Sequence, residues 1–185
     1  MAARYTESHN DMLGKLQSAQ TGGTAWTIEA ITGTTFIVGA LASSNDVVQT
    51  TIQVPHTRKL GSNLDSIHIH YALQGNSTAG NTVTFTGKYV WVQPGNVIPA
   101  DASWIAMAGA GLTLTLGTHL AGYYGIHAIQ ANVACPAGTS EGYGGMLLIS
   151  ITRTATGTYG ARLAILDVDA HTIVDRKGSV NEASD

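Results

Sequence analysis

Leu64-Asp65-Ser66-Ile67-His68-Ile69-His70-Tyr71-Ala72-Leu73-Gln74 is the stretch that decides the fold. Ile67, Ile69, Tyr71 and Leu73 fall on one side of an extended chain, and His68, His70 and Gln74 on the other. Side chains of a strand alternate between its faces, so this segment reads as a strand with one buried face. Gly75-Asn76-Ser77 follows as a turn. The same alternation recurs outward in both directions. Upstream, Val48, Thr50, Ile52 and Val54 share a face that ends at Pro55. Downstream, Val83, Phe85, Tyr89 and Trp91 lie opposite Thr82, Thr84, Thr86 and Lys88, and Pro94-Gly95 closes the strand. Leu112, Leu114 and Leu116 alternate with Thr113 and Thr115. Leu147, Ile149 and Ile151 alternate with Leu148, Ser150 and Thr152. Arg162 to Val168 is apolar on both faces, as a central strand covered on each side would be. About eight such strands with regular turn signals predict an all-β antiparallel sandwich of the jelly-roll kind. No helix-length pattern separates them, which excludes a parallel α/β sheet.

The core is expected to include Ile67, Ile69, Tyr71, Phe85, Tyr89, Trp91, Leu112, Leu114, Leu147, Ile149 and Leu163. The only helical signal covers residues 8–20. Ser8 and Asp11 resemble a capping pair, Met12, Leu13 and Leu16 make an apolar stripe, and Gly22-Gly23 stops it. The expected organisation is an N-terminal arm with a short helix over residues 1–25, a jelly-roll body over 26–174 and a flexible tail over 175–185. Met12, Leu13 and Leu16 are the expected contact with a neighbouring subunit or a capsid. Ala108-Gly109-Ala110-Gly111 and residues 138–145 read as loops.

Composition narrows the function. Charged residues make up only 11% of the 185 residues, less than half of the roughly 25% usual in soluble domains. The surface must then be covered by small uncharged side chains or by a partner. A net charge of −3 provides no broad basic field for nucleic acid. The lone Cys135 has no internal partner for a disulfide and no CxxC pair exists for zinc. No apolar run has the length of a membrane span, and the first residues lack a signal-peptide core. The chain is expected to be made in a cytoplasm.

Candidate chemistry is sparse. His68 and His70 leave the same face of a strand, as two ligands of a cupin-type metal site would. Tyr71, Ala72, Leu73 and Gln74 follow with no acid among them. His119 or His127 is a candidate third ligand, and Asp65 or Glu141 a candidate carboxylate, though no spacing requires them. Asp167, Asp169, His171 and Asp175 form a second ionisable cluster suited in principle to acid–base work. The simpler reading is that Asp169 and Asp175 sit in turns and that His171 hydrogen-bonds nearby backbone. No nucleophile elbow or phosphate loop is present. Trp26, Trp91, Trp104 and the Tyr123-Tyr124 pair are the aromatics a sugar platform would need. The expectation is a protein that is not an enzyme and needs no metal and no cofactor.

Two segments together carry a resemblance. Leu64 to Tyr71 is followed by Val83-Thr84-Phe85-Thr86-Gly87-Lys88-Tyr89-Val90-Trp91, and later by Leu166-Asp167-Val168-Asp169-Ala170-His171 and Gly178-Ser179. This order resembles a broad group of tailed-phage and prophage virion proteins. The resemblance implies a jelly-roll decoration, cement, neck or tail-fibre component. It implies a homo-oligomer, a trimer in the first instance, fastened to the major capsid or another virion protein, with no nucleic-acid or membrane partner. The expected location is the virion. The competing expectations are a tail-fibre or neck adhesin for host glycan, and a cupin-like metal-dependent enzyme using His68 and His70.

Overall fold

In a computed structural model that describes residues 8–13, 15–18, 24–25, 27–42, 46–54, 63–134 and 145–174, the alternating segments pair into two sheets. The early strands are β1 (Ser8–Leu13), β2 (Lys15–Ser18), β3 (Thr24–Ala25) and β4 (Thr27–Ala30). Then come β5 (Ile37–Leu41), β6 (Asp46–Gln53), β7 (Leu64–Leu73), β8 (Thr82–Val92) and β9 (Ile105–Ala106). The last are β10 (Thr113–Thr115), β11 (Tyr124–Val133), β12 (Met146–Arg153) and β13 (Leu163–Val174). One sheet runs β11-β7-β13-β5-β4, and the other β10-β8-β12-β6-β2. From β5 to β13 the longer strands switch sheets at every step, except that β8 and β10 are neighbours in one sheet. That order is the double Greek key of a jelly roll.

The core lies between the sheets. Ile67, Ile69 and Tyr71 of β7 meet Phe85 and Tyr89 of β8, Leu147 and Ile149 of β12, and Leu163 of β13, all buried. Each fully buried side chain of this size contributes about 1.5–3 kcal/mol. Trp91 and Leu112 depart from the expected set: both are half-buried and pack against the rim of the cluster. The indole of Trp91 keeps a polar tether there, its Nε1 donating to the Ala134 carbonyl at 2.9 Å.

β13 is the hub of the first sheet. Along one edge it pairs with β7; along the other, Leu163–Ile165 pair with β5 and Asp169–Val174 with β1. Over its first four residues, Leu163 to Leu166, both faces are covered, which explains the apolar run there. On the outer face Ala40, Ala164 and Ala72 sit in one register row, buried beneath Ile31, Val38 and Leu166.

The helix expected over residues 8–20 is absent from the described part of that segment. Ser8–Leu13 is strand β1, paired to β13, and Lys15–Ser18 is strand β2, paired to β6. The chain therefore steps from one sheet to the other between Leu13 and Lys15. The apolar spacing of Met12, Leu13 and Leu16 suits a helix, but three turns interrupted by Gly14 have little intrinsic stability. Two open strand edges offer backbone partners instead, and tertiary pairing overrides the local preference. Backbone pairing sets Met12 opposite Ala170, Leu13 opposite Asp169 and Leu16 opposite Thr50. The expected arm over residues 1–25 thus contributes strands to the body. The expected tail over 175–185 lies outside the described residues.

Candidate functional site: a histidine–aspartate cluster on the outer face

The two ionisable clusters that are separate in the sequence meet in space, because β7 and β13 are neighbours. A β-bulge makes the meeting possible. Leu163 and Ile165 point into the core, and strict alternation would send Asp167 and Asp169 after them. The register slips between Ile165 and Asp167, so that Asp167 faces His70, Asp169 faces His68 and His171 faces Ser66. One extra residue thereby turns three polar side chains to the outer face and brings Val168 and Ala170 inward. Re-aiming of side chains is a common role of bulges.

Asp169 is the centre of the cluster. His68 Nδ1 lies 3.4 Å from its Oδ1, while His70 Nε2 lies 3.5 Å and His171 Nε2 3.3 Å from its Oδ2. The carboxylate side chain is 2% exposed, against 14% for His68, 22% for His70 and 30% for His171. The rings of His68 and His171 lie 4.1 Å apart, tilted by 57°. Ring nitrogens turned away from Asp169 are anchored by hydroxyls: His68 Nε2 lies 3.1 Å from Ser66 Oγ, and His70 Nδ1 lies 2.7 Å from the Tyr124 hydroxyl. Burying a carboxylate is costly unless a positive charge or hydrogen bonds balance it. Among the described residues, Oδ1 of Asp169 makes no hydrogen bond.

Asp167 stands one step along the strand. Burial pushes its carboxyl above the usual range, the neighbouring charge of Asp169 adds to this, and the Val168 N–H, donating at 2.8 Å, and His70 pull the other way. The acid missing after His70 in the sequence is therefore supplied from β13, by Asp169.

The remaining candidates lie elsewhere. His127 is opposite Ile69 in register, and its Nε2 sits 2.7 Å from the Gly111 carbonyl, so it does not join His68 and His70. His119 stacks on Tyr123, with ring centroids 3.6 Å apart. Asp65 is exposed beside the second register slip of β7. Glu141, Asp175, Cys135 and Trp26 lie outside the described residues. Trp91 packs on the core rim, and Trp104 donates to the Pro99 carbonyl with the Lys88 ammonium 5.4 Å from its ring centre. They occupy separate settings and share no stacking platform. A sequence signal for the cluster did exist, an H-x-H strand and a D-x-D-x-H strand, but joining them requires the strand pairing and the bulge.

No protein-family model matches the chain, and no curated protein is significantly similar to it.

Proposed function

We propose that the chain is a structural virion subunit, a jelly-roll decoration or cement protein that acts as a homo-oligomer on a capsid. The observation that carries this reading is the state of the sheet's terminal strands. β11 ends the first sheet and contains no Lys, Arg, Asp, Glu or Pro, yet it exposes Tyr124 and Ile126. At the other end, Ile28 on β4 and Phe36 and Ile37 at the start of β5 are likewise exposed. Edge strands of solitary proteins are usually guarded by charge, proline or a covering segment. β4 carries one charge, Glu29, paired with Arg162, whereas β11 carries none, and apolar side chains gathered on such exposed edges mark surfaces that meet other protein. The low charge of the chain acts in the same direction, because small neutral side chains desolvate at little cost.

A specific contact needs roughly 800 Å² per partner. A closed ring is the economical symmetry for a repeated component, and a trimer is the form expected here. Native mass spectrometry and sedimentation test the reading. The full chain should form trimers or higher closed species and co-sediment with particles. Ile126→Lys and Ile28→Lys should shift it toward monomer with an unchanged circular dichroism spectrum. A protein that stays monomeric at high micromolar concentration and fails to co-sediment overturns the proposal. Separate sedimentation with capsids and with tails distinguishes a decoration protein from a neck or tail-fibre component.

A further inference from the structure

We infer that His68, Asp169 and His171, with His70 alongside, form a binding site for one divalent transition-metal ion, Zn²⁺ by its donor chemistry. The site is independent of the virion reading and runs against the sequence-based expectation of no metal. Three observations carry it.

The first is spacing. A nitrogen or oxygen donor sits about 2.0–2.2 Å from zinc, so adjacent corners of a tetrahedron of donors are about 3.4 Å apart. His171 Nε2 and His70 Nε2 lie 3.3 and 3.5 Å from Oδ2 of Asp169, and His68 Nδ1 lies 3.4 Å from Oδ1 of the same carboxylate. These distances are longer than the roughly 2.7–3.2 Å of good hydrogen bonds and match ligand-to-ligand edges. One donor atom from each of His68, Asp169 and His171 lies within 4.8 Å of the others.

The second is burial. Asp169 is 2% exposed, its Oδ1 makes no hydrogen bond among the described residues, and it points into the ring of imidazoles. A cation among these side chains would balance the carboxylate charge that burial otherwise leaves costly.

The third is the outer shell. A metal-bound imidazole carries its proton on the far nitrogen and gives it to a fixed acceptor. His68 coordinating through Nδ1 carries its proton on Nε2, next to Ser66 Oγ at 3.1 Å. His70 using Nε2 carries its proton on Nδ1, next to the Tyr124 hydroxyl at 2.7 Å. Both tautomers are thus matched by acceptors already in place. Imidazoles with a single carboxylate suit zinc and its neighbours in the first transition row, whereas calcium and magnesium prefer all-oxygen sets. An ion here would clip β7 to β13 at the bulge.

Isothermal titration of the metal-stripped full chain with ZnCl₂ tests the site, and Co²⁺ provides a spectroscopic readout. One ion per chain is expected, with visible Co²⁺ bands of the intensity typical of four-coordinate sites, and a rise in Tm on adding Zn²⁺ that EDTA reverses. His171→Gln replaces the most exposed ligand and should fold normally while losing at least tenfold in affinity. Ser66→Ala and Tyr124→Phe should each weaken binding by about 10–100-fold, the usual cost of losing an outer-shell partner. His119→Gln, outside the cluster, should leave the titration unchanged. No saturable binding up to the high micromolar range, or equal binding in the His171→Gln and His68→Gln variants, overturns the inference and leaves a plain cluster of ion pairs.

Discussion

Arg153 shows how much a single side chain holds in this body. It is 1% exposed, and its Nη1 donates to the carbonyls of Leu41 at 2.9 Å and Ala161 at 2.7 Å. Its Nη2 donates to Tyr159 O, and the guanidinium carbon lies 5.7 Å from the Tyr159 ring centre. Burial pulls the guanidinium below its usual range, while Tyr159 and Asp46 favour the charge. Three carbonyls from two stretches of chain therefore depend on one planar donor. Arg153→Met keeps most of the volume and removes every donor, leaving those carbonyls dry. Its expected cost is about 3–5 kcal/mol, since each orphaned buried polar group costs about 1–3 kcal/mol. Urea unfolding followed by tryptophan fluorescence measures it. Nothing in the sequence distinguishes this arginine from Arg162, which makes an exposed ion pair with Glu29. Its position at the end of β12, where the pattern turns to loop, gave no hint that the guanidinium would be sealed in.

At the scale of elements, the period-two reading holds where one face of a strand lies in the core and the other is more open, as in β7 and β8. It fails at the bulge within β13 and in the N-terminal segment. The bulge at Leu166 is invisible in an apolar run, because either register buries apolar side chains. The histidine–aspartate cluster was thus legible as two halves and not as a whole. The N-terminal segment misled for a different reason: its few apolar residues suit a helix as well as a strand, and the deciding partners lie more than a hundred residues away on β13. The strand assignment has a measurable consequence. Deleting residues 1–13 removes β1 and uncovers the edge of β13 from Asp169 to Val174. Amides of that stretch that bond to β1 should then lose hydrogen-exchange protection, while β12 remains protected. A helical arm lying on the surface would leave both sets of amides unchanged.

For the whole molecule, two buried phenols tie stability to alkaline pH. Burial pushes Tyr159 above its ordinary value of 10.0, against the pull of the Gly75 backbone and of Arg153. Its hydroxyl donates to Gly75 O at 2.8 Å and accepts from Gly75 N at 3.0 Å. Tyr71 is raised in the same direction by burial, with Tyr123 adding to it. A raised folded value means that the native state holds the phenol proton more tightly than the unfolded chain does. The resulting stability is complete below about pH 10 and is lost as pH climbs through the higher folded values. Tm measured from about pH 8 to about pH 11 should fall at the top of that range, and Tyr159→Phe should flatten the fall. The position of β13 bears on a different matter, the order of synthesis. Its partners β1, β5 and β7 all leave the ribosome before it does, so the first sheet stays split while they wait. During that interval the nascent chain presents unpaired, largely apolar edges, the species from which aggregation starts. Folding of this sheet is therefore a post-emergence event, and a pause in translation before Leu163 would lengthen the chain's exposure to chaperones instead of advancing its fold.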